Sequence, residues 1–301
     1  MTKVLSLFDW MSCWKIALER AWKIINKYYA SEIDKNAIMC STINNPDILQ
    51  LWDVKKISYN WWILKSQDYS INTWNIDLVI WWSPCQWFSF AWKQLNFQDE
   101  RSILFFEYVR IINEVRPKYF LLENVKMKKE WQSIISSHVK WIEPTLINSN
   151  LVSAQDRKRL FLVWERQEDW SYVKFEVLLP EDKKITFWDI REYWLPVMSE
   201  DRVEKIKNRK AQQKPFDKIM IKDERWKVPC LTARWFNQNH SWMIVVKEED
   251  WYRYLSRREW ERCQTVPEWY TDCLSDRECS RVLWNGWTVD VLTHIFSKMD
   301  L

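Results

Sequence analysis

The sequence predicts an α/β fold: an open, mostly parallel sheet with helices on both faces, followed by a smaller, more irregular region. Three observations carry this expectation. Short apolar runs of strand length alternate with longer runs of helical periodicity through the first half of the chain. Asp9, Glu32, Asp53, Cys85 and Glu123 all fall at or just beyond the ends of apolar runs, and the carboxyl ends of strands are where open α/β sheets gather ligands. From about Phe175 the alternation fades into polar, loop-rich sequence with short β runs such as Met243 to Lys247.

In order, Val4 to Phe8 is a short apolar run with strand character, and Ile16 to Ala21 opens a stretch with apolar residues at helical spacing. Tyr28 to Ile33 reads as a second strand, with Glu32 and Asp34 at its end. Asp77 to Ile80 is a third. Ser102 to Val115 is amphipathic and halts before Pro117, which cannot continue a helix. Lys118 to Leu122 is a strand ending in Glu123-Asn124, and Trp131 to Val139 has helical spacing. Thr145 to Ile147 and Leu160 to Val163 are further strands, and Val289 to Phe296 closes the chain as an apolar helix returning to the first sheet. The expected division is a first domain over 1–174, a small region over 175–265 and a returning segment over 266–301.

Composition adds an anomaly. The chain holds one glycine and 25 tryptophans, whereas average usage of about 7% glycine gives about 21 in a chain of this length. The tryptophans stand at turn-like places: Trp10 and Trp14 after the first strand, Trp81 and Trp82 before Ser83-Pro84-Cys85-Gln86, Trp269 after Pro267-Glu268, and Trp284 before Asn285-Gly286. Such places ask for positive φ or close backbone approach, which glycine supplies. The pattern is that of a gene whose UGA codons encode glycine but are read as tryptophan; the alternative is a tryptophan-rich protein. A polypeptide made with the tryptophans as written is expected to be overpacked, misfolded and inactive.

The remaining composition narrows the class. A chain of 301 residues can bury a full core, and a net charge of +4 permits nucleic-acid binding without demanding it. The basic run Lys205-Ile206-Lys207-Asn208-Arg209-Lys210 is a solvated helix face or a binding patch. Seven scattered cysteines do not form a disulfide framework, and with no CxxC pair and three histidines no metal site is expected. No secretory leader and no long uncharged apolar stretch appears, so the expected setting is the cytoplasm, away from membranes.

Cys85 follows a strand in a loop, where it is either a small buried hydrophobe or a nucleophile. Leu121-Leu122-Glu123-Asn124-Val125 ends a strand in a carboxylate, and parallel neighbours would bring Cys85 and Glu123 to one edge of the sheet. In Gln155-Asp156-Arg157-Lys158-Arg159, two arginines two residues apart on an extended chain face the same way and could reach one site. A helix cap or surface charge for Glu123, and exposed surface arginines, are the plainer readings.

Ser83-Pro84-Cys85-Gln86, Glu123-Asn124-Val125 and Gln155-x-Arg157-x-Arg159 resemble the successive catalytic motifs of the DNA cytosine-5 methyltransferase family. Leu7-Phe8-Asp9-Trp10 is similar to that family's Phe-x-Gly cofactor motif with Trp in the Gly place, and Trp284-Asn285-Gly286-Trp287-Thr288-Val289 to its final Gly-Asn-x-x-Val motif. The resemblance covers 1–165 and about 250–301, and is strongest to the animal de novo branch and its phage and bacterial relatives. It implies a Rossmann-like sheet binding S-adenosylmethionine, with a target-recognition region over 175–265.

The resemblance also implies roles. Cys85 attacks carbon 6 of a cytosine flipped from the duplex; Glu123 holds ring nitrogen 3; Arg159, with Arg157, orients Glu123. Phe8, Asp9, Trp10, Glu32, Asp53, Asn285 and Trp287 meet the cofactor, Glu32 through the ribose hydroxyls and Asp53 through the adenine amino group. Trp287 matches a tryptophan of related endings, and Trp131 and Trp260 lie in helical surroundings, so these three belong to the natural chain. Ser83, Pro84, Gln86 and Asn124 line the target base, and Arg234 and Asn237 are candidates for reading base edges of double-stranded DNA. The expected protein is a monomer with a restriction endonuclease partner only by genetic context. A tRNA cytosine-5 methyltransferase and an inactive DNA-binding relative are the alternatives.

Overall fold

A computed structural model describes residues 1–82, 100–125, 142–211, 220–221, 227–230, 245–247 and 251–301. Ser83, Pro84, Cys85, Gln86, Arg234 and Asn237, the expected helix from Trp131 to Val139, and Met243 and Ile244 lie outside the described residues. The strands, numbered along the chain, are β1 (Thr2–Leu7), β2 (Ile25–Ser31), β3 (Leu49–Gln50), β4 (Ser58–Asn60), β5 (Ile63–Lys65), β6 (Ser70–Asn72), β7 (Leu78–Trp82), β8 (Tyr119–Asn124), β9 (Thr145–Asn148), β10 (Gln155–Asp156), β11 (Lys158–Arg166), β12 (Tyr172–Lys174), β13 (Met220–Ile221), β14 (Val228–Pro229), β15 (Val245–Lys247) and β16 (Tyr252–Tyr254).

The chain divides into two compact units. The first takes Met1–Ile147, Lys158–Leu179 and Leu292–Leu301; the second takes Asn148–Arg157 and Pro180–Val291. In the first, the main sheet runs β12-β11-β8-β7-β1-β2-β3, with β9 also paired to β11. Pairings from β8 through β7, β1 and β2 to β3 are parallel, and β11 is antiparallel to β8. β7 and β8 are buried along their whole lengths, as expected of strands covered on both faces. That is why Leu78–Trp82 and Tyr119–Asn124 read as unbroken apolar runs. The core between sheet and helix is aromatic: Trp81 stacks on Tyr108 at 4.6 Å between centroids, and Phe120 on Trp164 at 4.5 Å.

Chain order and spatial order diverge at β1. From β1 the chain moves outward to β2 and β3, then returns to place β7 on the other side of β1. The gap between the carboxyl ends of β1 and β7 is thus the switch point of the sheet, where such folds open a ligand crevice.

Local signals set the helix ends. Asp34 caps Lys35–Asn44, accepting from the amides of Asn36 and Ala37. Cys13–Arg20 closes in a Schellman motif: Lys23 N–H donates to Leu18 O, and Trp22 N–H to Glu19 O, with Trp22 at φ 59°. The helix Glu100–Val115 ends ahead of Pro117 as expected. Val289–Ser297 is the expected terminal helix; from Leu292 onward it belongs to the first unit, where Phe296 meets Trp14 at 6.1 Å. Lys118 Nζ lies 2.7 Å from the Asp300 carboxylate.

Several expectations need correction. β2 begins at Ile25, not Tyr28, and ends at Ser31, so Glu32 lies just beyond it. Trp14 and Trp284 are helical, not in turns, and Gly286 sits at φ −73°. The β4-β5-β6 meander was not anticipated. β4 and β5 are joined by the two residues Trp61 and Trp62, at φ 51° and 62°, which makes a hairpin turn with both central residues left-handed.

The second unit holds a parallel β10-β14 pair, a β13-β15-β16 sheet and the helices Phe187–Ile190, Glu200–Ala211, Arg257–Cys263 and Asp276–Asn285. At its centre Arg253 and Glu259, 1% and 0% exposed, pair at 2.7 and 2.8 Å. Gln264 ties the end of one helix to the next: its Nε2 donates to Leu283 O at 2.7 Å, and its Oε1 accepts from Thr288.

Candidate active site

The parallel register of β7 and β8 pairs Trp82 with Glu123. Glu123 therefore stands at the carboxyl edge of the sheet, level with the residue three positions before Cys85 in sequence. On its other side, antiparallel β11 pairs Phe161 with Glu123 and Leu160 with Asn124. Arg159 is two residues before Phe161, so it lies diagonally across from Glu123 on the same face. Its Nε is 3.1 Å from Glu123 Oε1, with the carboxylate side chain 1% exposed and the arginine 15%. Neighbouring Asn124 is buried, and its Oδ1 accepts from Val125 N–H at 2.7 Å, which fixes the first residue of the following loop.

Arg157 does not join this pair. It falls between β10 and β11, outside either strand, so the alternation that would align it with Arg159 is interrupted. It belongs to the second unit, where its buried guanidinium donates to Trp284 O at 3.0 Å and Gly286 O at 2.9 Å. Those carbonyls end the helix Asp276–Asn285, a position where a cation complements the helix dipole. Gln155 is fully buried in the same unit and donates to Cys263 O at 3.2 Å. The motif thus sends Gln155 and Arg157 to brace one unit and Arg159 to the carboxylate of the other.

The loop after β1 is unusually bent. Phe8, Trp10 and Ser12 have φ of 60°, 56° and 60°. Asp9, 1% exposed, holds the bend from within: its carboxylate accepts from Ser12 Oγ and, at 2.6 Å, from Tyr28 OH. Burial pushes the Asp9 carboxyl above the ordinary range, opposed by those hydrogen bonds. Glu32 is engaged with the same loop. Its Oε2 accepts from Trp10 N–H at 3.0 Å, and its Oε1 from Ile33 and Asp34 N–H at 2.8 and 2.9 Å. Burial raises its pKa as well, against these backbone donors. Asp53 is half-buried and accepts from Lys55 N–H at 3.0 Å. Phe8 meets Trp81 edge-on at 6.5 Å.

The indole of Trp10, 7% exposed, lies 5.9 Å from that of Trp82, so two rings stand at the switch point between β1 and β7. The carboxylates of Glu32 and Asp53 suit a polar nucleoside ligand. The ring of Trp10 does not, because it lies buried beside Trp82 at the switch point, where folds of this kind take their ligands. Asn285 and Trp287 belong to the second unit; Asn285 ends its helix and Trp287 is buried.

A family model for C-5 cytosine-specific DNA methylases matches residues 2–300. The chain belongs to this family. Type II methyltransferase M1.ScrFI of Lactococcus lactis subsp. cremoris is 28% identical over 317 residues, spanning 99% of this chain and 77% of that protein. Type II methyltransferase M.FnuDI of Fusobacterium nucleatum is 26% identical over 98% of this chain and 93% of its own length. In fold, the chain is similar to the S. pombe Dnmt2 methyltransferase, with a TM-score of 0.70 at 17% identity over 98% of this chain and 97% of that one.

As a member, the methylase is an enzyme that methylates cytosine in DNA, in a family whose methyl donor is S-adenosylmethionine. No helix among its described residues is long and apolar enough to cross a membrane. Sequence reasoning missed Ser256, Arg253, Glu259 and Gln264, which organise the second unit. The Ser256-x-x-Glu259 capping box, with Ser256 Oγ accepting from Glu259 N–H at 3.1 Å, was the available signal.

Proposed function

We propose that the methylase acts on duplex DNA through a covalent adduct between Cys85 and carbon 6 of a cytosine turned out of the helix. When bound, S-adenosylmethionine supplies the methyl group. The Cys85 thiolate forms the carbon–sulfur bond, and Glu123 holds ring nitrogen 3, so carbon 5 becomes electron-rich enough to accept the methyl group. Loss of the carbon 5 proton to water and breaking of the carbon–sulfur bond restore the thiolate. Arg159 keeps Glu123 oriented; Arg157 is a positioning residue for the ending of the helix that carries Asn285. Glu32 and Asp53 take the ribose and adenine, and the backbone of the loop bent by Asp9, with Phe8, takes the rest of the cofactor, assisted by Asn285 and Trp287. Ser83, Pro84, Gln86 and Asn124 surround the base, and Arg234 and Asn237 read the target sequence. We place the enzyme in the cytoplasm as a monomer, with a catalytic and cofactor-binding domain over 1–174, target recognition over 175–265 and a returning segment, which carries Asn285 and Trp287, over 266–301.

The observation that supports this reading is the Glu123–Arg159 pair at the sheet edge, in register with the strand that leads into Cys85. The test is incubation of the chain, made with glycine at its turn tryptophans, with S-adenosylmethionine and duplex DNA containing 5-fluorocytosine. A denaturation-resistant adduct that maps to Cys85 and disappears in Cys85→Ala is expected. DNA binding without adduct would favour an inactive relative, and methylation of tRNA but not of duplex DNA would favour the tRNA reading.

A further inference from the structure

Fourteen non-glycine residues among those described have positive φ, and nine of them are tryptophans: Trp10, Trp22, Trp52, Trp61, Trp62, Trp74, Trp170, Trp194 and Trp269. Tryptophan has no affinity for this region of backbone space. Its Cβ crowds the carbonyl there, and the residues that visit it routinely are glycine, then asparagine and aspartate. No burial compensates. Eight of the nine are exposed, Trp22 at 92%, Trp61 at 80% and Trp194 at 101%; the exception is Trp10, buried beside Trp82 at the switch point.

The individual turns are more specific than the tally. Trp22 occupies the left-handed position of a Schellman motif with both of its hydrogen bonds made, the place where helices most often carry glycine. Trp61 and Trp62 form a two-residue hairpin with both φ positive, a turn that selects Asn-Gly, Asp-Gly or Gly-Gly. Trp170 stands in the hairpin between β11 and β12, where Gln167 N–H donates to Ser171 O at 2.8 Å. These turns keep the hydrogen bonds and strand registers of glycine turns while presenting an indole to solvent.

We infer that the natural polypeptide carries glycine at these nine positions, and that its gene encodes them with UGA in a genetic code that reads UGA as glycine. Trp14, Trp260 and Trp284, in helices, and Trp81, Trp82 and Trp164, in strands, carry no such backbone signature, so the assignment rests on conformation and not on the abundance of tryptophan. Glycine at position 10 removes a buried indole from the switch point, which suits the bent loop of Phe8, Asp9 and Ser12 to a ligand there. The inference is independent of the covalent mechanism.

The test reads the nine codons in the gene and the masses of the corresponding peptides from protein isolated from its source organism. UGA at these codons and glycine in the peptides are expected, with UGG and tryptophan at Trp287. UGG at the nine codons, or tryptophan in the peptides, would overturn the inference. If tryptophan is found, the Cys85 adduct experiment is run on the chain as written, and an absent adduct in either chain leaves the glycine assignment standing.

Discussion

Arg159 meets Glu123 across two strands that run in opposite directions, Nε to Oε1 at 3.1 Å, with the carboxylate sealed from solvent. Removing the arginine leaves a buried charge without its cation, which is more damaging than removing both. Arg159→Leu is expected to lower kcat by about a hundredfold or more. Glu123→Gln with Arg159 intact should retain the fold and lose methyl transfer to a comparable degree. Steady-state kinetics alongside circular dichroism checks this; near-normal kcat in Arg159→Leu would remove the arginine from the chemistry.

Arg157 is expected to behave differently. Its guanidinium serves the carbonyls of Trp284 and Gly286, and a hydrogen bond from a charged donor contributes about 1.5–3 kcal/mol. Arg157→Met should lower urea stability by that order. Kinetics of the folded fraction should change through KM more than kcat. A stability equal to the parent's would contradict the bracing role.

Arg253 and Glu259 offer a double-mutant cycle in the second unit, since both are almost wholly buried. Either single replacement, Arg253→Met or Glu259→Leu, should cost about 3–5 kcal/mol, and the double replacement less than either alone. Additive losses would show that the two residues do not depend on one another.

Burial raises the carboxyls of Asp9 and Glu32 above their ordinary values. A group that holds its proton more tightly when folded favours the fold at low pH. That contribution is lost as pH rises from the unfolded value, about 4, through the raised folded value. These two groups therefore make stability decline as pH climbs out of the acid range. Asp9→Asn should flatten that part of the profile, as read from urea midpoints at successive pH values; an unchanged slope would contradict the burial argument.

The β4–β5 hairpin gives a direct reading of backbone strain. A left-handed residue with a Cβ costs about 1–2 kcal/mol. In a chain with glycine at the other seven left-handed tryptophan positions and Trp61 and Trp62 kept, changing Trp61→Asn together with Trp62→Gly should raise the thermal midpoint, and changing Trp61→Val, a branched residue, should lower it. A fall with Asn-Gly would mean that the two indoles stabilise more than their turn costs.

What the sequence disclosed depended on how directly each feature is written in it. β7 and β8 were legible because strands covered on both faces must be apolar throughout, and Glu123 because a carboxylate ends such a run. Arg159 was legible with it. The separate destination of Arg157 was not, since counting two residues along a strand assumes that the strand is continuous. The β4–β5 hairpin escaped notice because its turn reads Trp-Trp where hairpin chemistry calls for Asn or Gly. Arg253 and Glu259 were not recognised because nothing local distinguishes two charges that will be buried together from two that will face water. Cys85 was singled out by its motif alone.

The first unit closes with the last residues of the chain. Phe296 packs on Trp14, Lys23 Nζ donates to Met299 O, and Lys118 reaches Asp300. Contacts between residues 276 apart in sequence, as between Lys23 and Met299, raise the contact order and slow folding. During synthesis, β1 and the helix Cys13–Arg20 emerge early and wait, with part of their apolar surface uncovered, until Leu292–Leu301 follow and cover it. Cleavage ahead of Leu292 would therefore uncover the surface of the helix Cys13–Arg20 that Phe296 covers. Such fragments should be prone to aggregate and dependent on chaperones in a way that the finished enzyme is not.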